Sequence, residues 1–418
     1  MSLAEAAPGP APPPAPARRR GVPPLPLLTL VNGFNYLDRQ VVYGMTPLIG
    51  DTFGLSKTQL GLLATVNLVV FAVASLVSGP VADRIGARKV IFSGILVWSI
   101  ATIGSALSGS YHTLLFFRAL VGVGEGAYGP SANALLCADA PPEKRGRAMG
   151  IYNVGMALGG TLGLCLGALL APKIGWRNVF WLAGGPSMLL ALASAFVASP
   201  DRIERPTKLP AWAYLLKPTY ILALLGGIMA TFGASALIFW TRWLVIEVRQ
   251  LSVFVGSVYM LFVGLVCGVG GVIVGGYAGD RLNRRAPGGH ALAIGISMLL
   301  AVPFGTAALF VTPKIPFMIL TAAAAFLLSV YNGPSAAVVD ELGPPQFSAT
   351  LQAVFLFGIH VLGNAPAPTF VGTLADHMPL PVALVTAVVA FGLSGVLFCI
   401  VARRQRRAAE TELSSSPA

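Results

Sequence analysis

Long apolar stretches separated by short polar clusters fill nearly the whole chain. A helix needs roughly 20 apolar residues to cross the hydrocarbon core of a bilayer. Twelve stretches reach that length: 25–49, 58–80, 88–109, 112–137, 146–171, 176–199, 218–246, 253–278, 289–312, 315–339, 347–373 and 379–402. This pattern predicts an all-α integral membrane protein of twelve transmembrane helices. Residues 1–24, rich in Pro and Ala with Arg18, Arg19 and Arg20, read as a disordered cytoplasmic tail. The apolar stretch that follows is too long for the core of a signal peptide, and no small-residue cleavage site follows it.

Short sequences recur at a nearly constant offset. GPVADR (79–84) is matched by GYAGDR (276–281), YGPSA (128–132) by YNGPSA (331–336), and Pro141-Pro142 by Pro344-Pro345. The offsets are 197, 204 and 203 residues, which predicts two pseudo-symmetric six-helix halves. Their expected limits are 25–199 and 218–402, joined by a polar linker over 200–217 and followed by a cytoplasmic tail over 403–418. Two parallel halves with a site between them form a transporter architecture.

Composition agrees with the pattern. The 418 residues are 55% hydrophobic and 11% charged, with mean hydropathy +0.76, whereas soluble domains carry about 25% charged residues. The net charge of +12 is not spread as a nucleic-acid footprint. Twenty of the 28 basic residues fall on the side of the two termini, five on the other side, and Arg39, Arg118 and Arg242 within spans. Such a bias places both termini in the cytoplasm, with membrane lipids rather than nucleic acid as the surroundings. A plasma membrane is the expected location, the inner membrane in a bacterium, and a monomer the expected state. Cys137, Cys165, Cys267 and Cys399 lie in apolar stretches without CxxC spacing and read as small buried hydrophobes. Four scattered histidines make no metal site. No phosphate-binding loop and no catalytic constellation is present, so no cofactor and no enzyme activity are expected.

At this point a resemblance enters. GPVADRIGARK (79–89) resembles the loop motif between helices two and three of the major facilitator superfamily, and GYAGDRLNRR (276–285) its second copy. RALVGVGE (118–125) is similar to the fourth-helix motif of that superfamily. More narrowly, NYLDR (35–39), GVGEGAYG (122–129) and FGASALIFW (232–240) resemble the Spinster-type lipid transporters. Bacterial sugar-acid and organic-anion symporters share NYxDR and GxGE elements, so a small organic or sugar acid is the alternative substrate. The proline-containing helix-five motif of drug–proton antiporters is absent; that helix reads GMALGGTLGLCLG (155–167).

The candidate residues divide by chemistry. Asp38 and Glu125 are intramembrane acids, costly unless they face a cavity or a partner. Burial raises the proton affinity of such an acid, so both are expected to carry coupled protons, and as neighbours, because the resemblance implies that helices one and four pack together. Arg39 and Arg118 are the expected counter-charges or contacts for an anionic substrate; the alternative is a fixed ion pair that orients the helices. Arg118, Gly122, Glu125 and Gly129 share one helical face. Asn32, Asn35 and Arg39 form a polar stripe with Asp38 beside it. Asn35, Tyr36, Tyr128, Arg242, Tyr331, Asn332, His360 and Asn364 are expected to line the cavity, although Arg242, late in its helix, can instead reach the interface. Phe232, Phe239, Trp240, Phe355 and Phe357 form either an apolar wall for a lipid tail or ordinary core. The resemblance implies that Gly79, Asp83, Arg84, Gly276, Asp280 and Arg281 form a cytoplasmic gate. In the resemblance, each Asp sits against a helix N-terminus of the other half, that of helix eleven for Asp83 and of helix five for Asp280, where the macrodipole favours an acid. The function expected is proton-coupled transport of an amphipathic anion, such as a lysophospholipid or sphingoid lipid, by alternating access.

Overall fold

The computed structural model describes residues 22–139, 145–197, 212–344 and 348–415. Most of the expected N-terminal tail and linker, and the repeat prolines Pro141, Pro142 and Pro345, lie outside the described residues.

Twelve membrane-length helices follow one another: α1 (Pro24–Phe53), α2 (Lys57–Ile85), α3 (Ala87–Ala106), α4 (Tyr111–Asp139), α5 (Arg145–Ile174), α6 (Trp176–Ser194), α7 (Pro218–Val248), α8 (Val253–Asn283), α9 (Gly289–Phe310), α10 (Lys314–Asp340), α11 (Leu351–Ala375, with a turn from Ser348 before it) and α12 (Leu380–Thr411). Among the described residues nine are long and apolar enough to span a bilayer. The three that fall short are α1 and α4, which carry the intramembrane charges, and α6, which opens on Trp176-Arg177-Asn178. Past residue 402 the expected tail continues α12 as helix to Ser415.

Local chemistry sets the turns. Ser56 accepts a hydrogen bond from the Gln59 amide while the Gln59 side chain accepts from the Ser56 amide, a reciprocal cap that starts α2. Gly86, between α2 and α3, has φ +93° in open space, so its backbone conformation alone calls for glycine.

The two halves repeat one packing plan. In the first, α1 packs on α5, α2 and α6 pack on α4 and α3, and α3 packs on α4; in the second, α7 packs on α11, α8 and α12 on α10 and α9, and α9 on α10. The seam between α1 and α5 is the tightest. A Cβ on Gly155 or Gly159 would collide with backbone at Thr29 and Gly33, and one on Gly163 or Gly167 with Leu37 and Val41. The second half is less regular. Its helices α7, α8 and α11 contain π-helical turns at Trp243–Val248, Val263–Gly268 and Ile359–Asn364, local underwindings that are frequent at functional sites.

The apolar interior forms three clusters. One, including Met45, Ile49, Leu63, Trp240, Phe317 and Val371, joins both halves away from the termini, here called the distal side. The other two lie toward the terminal side and stay within one half each: Leu28, Trp98 and Tyr128 in the first, Tyr220, Phe355 and Phe398 in the second. The halves therefore meet at the distal side and part toward the terminal side.

Candidate functional site

The parting leaves a cavity of ≈ 410 Å³ open toward the terminal side. One wall is polar. It comes from Asn32, Asn35, Tyr36 and Arg39 of α1, Glu125, Tyr128 and Asn133 of α4, and Tyr152 and Asn153 of α5. The other is largely apolar, from Phe71, Ala72 and Leu76 of α2 and Ala353, Leu356 and Phe357 of α11, with Ser75 and His360 as polar members. Helical spacing on α1 turns Asn32, Asn35 and Arg39 into this space, as the sequence stripe implies.

At the floor, Glu125 Oε2 accepts two hydrogen bonds from Arg39, 3.1 Å from Nε and 2.8 Å from Nη2. Both side chains are buried, and Glu125 Oε1 has no partner among the described residues. The Arg39 guanidinium also lies 4.4 Å from the ring centre of Phe71 and 5.1 Å from that of Tyr36, where the π-faces attract a desolvated cation. His360 reaches the same place from the second half, its ring 5.8 Å from Phe71. Its Nδ1 donates to Leu356 O at 2.7 Å, which leaves Nε2 for the cavity.

Asp38 does not reach the cavity. One residue from Arg39, it is rotated by about 100° on the helix and points into the first half, where Oδ2 accepts from Thr102 Oγ1 of α3 at 2.7 Å. Among the described residues Oδ1 has no partner, and neither have Nε and Nη1 of the buried Arg118. Arg118 and Glu125 are both close enough to act on Asp38 electrostatically. Glu125 pairs with Arg39, Asp38 with Thr102, and Arg118 lies behind the floor. Of the α4 glycines, Gly129 lines the cavity, whereas Gly122 abuts Asn67 of α2 and Gly124 abuts Gly94 and Trp98 of α3.

Other expectations divide similarly. Asn35, Tyr36, Tyr128 and His360 line the cavity; Arg242, Tyr331, Asn332 and Asn364 do not. Arg242 is buried near the distal end of α7 and donates to Glu247 Oε1 at 2.9 Å, so it neither snorkels nor faces the cavity. Tyr331 packs on Phe398 inside the second half, because the 3₁₀ turn Val330–Asn332 rotates it away and leaves Asn332 exposed. Asn364 falls in the π turn of α11, where its carbonyl accepts from Ser235. Of the five aromatics, Phe239, Trp240 and Phe355 are core, Phe232 packs on Phe370, and Phe357 lines the cavity.

In the gate motifs, the Asp83 side chain lies outside the described residues, and Arg84 and Arg281 are exposed. A Cβ on Gly276 would meet open space. Asp280 does not reach α5: its Oδ1 lies 3.0 Å from His290 Nε2 of its own half, and His290 Nδ1 is 2.6 Å from Glu341 Oε1. With the halves parted on this side, the second half's own groups satisfy it. Sequence reasoning passed over Phe71, Thr102, Asn133, Tyr152 and Asn153. Tyr152-Asn153, a polar pair within the apolar α5, was the visible signal.

This cavity between repeated bundles defines a membrane carrier. The sequence matches the profile of the Major Facilitator Superfamily over residues 28–368, and the chain belongs to that superfamily of transporters. An MFS-type efflux pump of Mycolicibacterium smegmatis is 28% identical, over 97% of this chain and 98% of its own length. Protein spinster homolog 1 of Xenopus laevis is 27% identical, over 84% of this chain and 72% of its own. The crystal structure of a bacterial homologue of the human lysosomal transporter Spinster, in an inward-facing and occupied conformation, superposes with TM-score 0.78 and 25% identity, covering 94% of this chain and 98% of that one. The chain is thus a membrane transporter of this superfamily, similar to the spinster proteins, and not an enzyme.

Proposed function

We propose that this chain is a proton-coupled secondary transporter that works by alternating access on an amphipathic anion of the lysophospholipid or sphingoid-lipid class. The observation that carries the reading is the Arg39–Glu125 pair at the floor of a cavity with one polar and one apolar wall. A buried ion pair is stable only while both charges are satisfied. Protonation of Glu125 removes the partner of Arg39 and leaves a desolvated guanidinium, whose planar fork suits a phosphate or carboxylate head. The apolar wall then takes the tail. Asp38, separated from the cavity but within electrostatic reach of Arg118 and Glu125, is the second proton site.

The bias of basic residues places the termini, and hence the open face, in the cytoplasm. The Spinster-type relatives and the amphipathic walls support the lipid reading over the small-acid one. The protein then acts as a monomer in a plasma membrane, the inner membrane in a bacterium, with six-helix halves over 25–199 and 218–402. A proton crossing the full potential contributes about 2.3 kcal/mol per 100 mV to the cycle.

The test is uptake into proteoliposomes under an imposed pH gradient, with lysophospholipids, sphingoid phosphates and sugar acids as substrates. Gradient-dependent lysolipid movement that is lost in Asp38→Asn and in Glu125→Gln is expected. Retention of coupling in both variants overturns the proton assignment, and movement of sugar acids alone replaces the lipid by a small acid.

A further inference from the structure

On the distal side, the end of α11 is tied to the start of α2 by a carboxylate outside the gate motifs. Asp376 Oδ1 accepts from the Lys57 amide at 2.8 Å, and Oδ2 accepts from the Thr58 amide at 3.0 Å and from Thr58 Oγ1 at 2.6 Å. Lys57 Nζ returns a bond to Ala375 O at 3.0 Å. The first amides of a helix have no partner within it, and an acid placed there also meets the positive end of the dipole. Yet α2 already has its own cap in Ser56 and Gln59. The bonds from Asp376 therefore do something that cap does not: they cross from the second half to the first. They close a seam in which a Cβ on Gly61 would lie 2.6 Å from Pro368 O and one on Gly372 2.5 Å from Lys57 O. Thr65 extends it with a hydroxyl contact of 2.7 Å to Thr369.

We propose that Asp376 is the latch of the distal gate, a positioning residue that holds α11 on α2 while the cavity faces the terminal side and whose release accompanies opening of the distal side. This rests on the alternating-access reading. The latch is built to stay ionised. Burial pushes the Asp376 carboxyl up, but the bonds from the Thr58 hydroxyl and the Thr58 and Lys57 amides outweigh it and hold the carboxyl below the usual carboxylate range. Motion of the helices, not titration, then breaks it.

The experiment needs no substrate. The full chain, with its four cysteines replaced, carries spin labels at Leu107→Cys just past α3 and Ile315→Cys on α10, both exposed at the distal side of opposite halves. Distances are measured by double electron–electron resonance in lipid nanodiscs. In Asp376→Ala the long-distance population should rise over the short one by on the order of tenfold, the effect expected for losing a helix-capping acid. Asp376→Asn should give a smaller rise and Asp376→Glu should restore the original ratio. Where Asp376→Ala does not fold, Asp376→Asn and Thr58→Val provide the comparison. Folded variants with the wild-type ratio overturn the latch. Failure of the transport reading would appear separately, as proteoliposomes that move no substrate.

Discussion

The two halves share a packing plan and differ in what they carry. The first holds Asp38, Arg39, Arg118 and Glu125, all buried, on helices α1 and α4. Its α1–α5 seam leaves no room for a single added carbon. Among the described residues the second presents α11 alone to the cavity, with the His360 side chain as its polar group there, and its helices α7, α8 and α11 are interrupted by π turns. Duplication thus provided two copies of a scaffold, one of which became a rigid holder of charge while the other kept the irregular backbone that permits bending. Desolvated charges need fixed neighbours, since a loosely held ion pair in a low dielectric loses its compensation.

The hardest way to break this contrast is to disturb the seam. Gly159→Leu sets a side chain against the Gly33 carbonyl, where backbone cannot yield, and should abolish the monodisperse peak in size-exclusion chromatography. Gly268→Ala in the α8 π turn meets only Val263 O at 3.7 Å and should leave yield unchanged. Equal losses from both would erase the distinction between rigid and adaptable halves.

Next in size is the ion pair. Glu125→Ala strands Arg39 in a dry site and should cost about 3–5 kcal/mol, a fall in melting temperature on the order of 10 °C. A fall of only a degree or two would mean that water or lipid already satisfies Arg39.

The smallest expected effect is a null one at the distal side. A carboxyl whose pKa falls on making its contacts stabilises the contacted state fully above its free value, 3.8 for Asp376, and loses that contribution as pH drops through the lowered value. The spin-label distances across the distal side should therefore stay constant from about pH 8 to about pH 5. A change of population within that window would make the Asp376 contact itself proton-sensitive.

Much of this was legible in residue order. Runs of about 20 apolar residues mark spans because the bilayer sets their length, and the duplicated GPVADR and YGPSA segments disclose the halves. The stripe Asn32, Asn35, Arg39 follows from helical spacing alone. Which acid pairs with which base did not follow. Asp38 and Arg39 are adjacent and so point about 100° apart on one helix, and their partners depend on where α3 and α4 sit. Tyr331 and Asn332 were misplaced for a related reason: a 3₁₀ turn changes side-chain direction without changing the apolar pattern. The latch at Asp376 was hidden because its partners, Lys57 and Thr58, lie more than 300 residues away in the chain.

The glycine seam has a mechanical corollary. Where carbonyl meets carbon with no side chain between, the joint can neither compress nor slide freely. Helices α1 and α5 are in effect welded, and α5 also carries Cys165 and Thr161, which touch Ser257 and Gly264 of α8 across the halves. A displacement of α8 is therefore delivered along a stiff member to the strut that bears Arg39. The seam of the smallest residue thus makes α1 and α5 one stiff member rather than two helices.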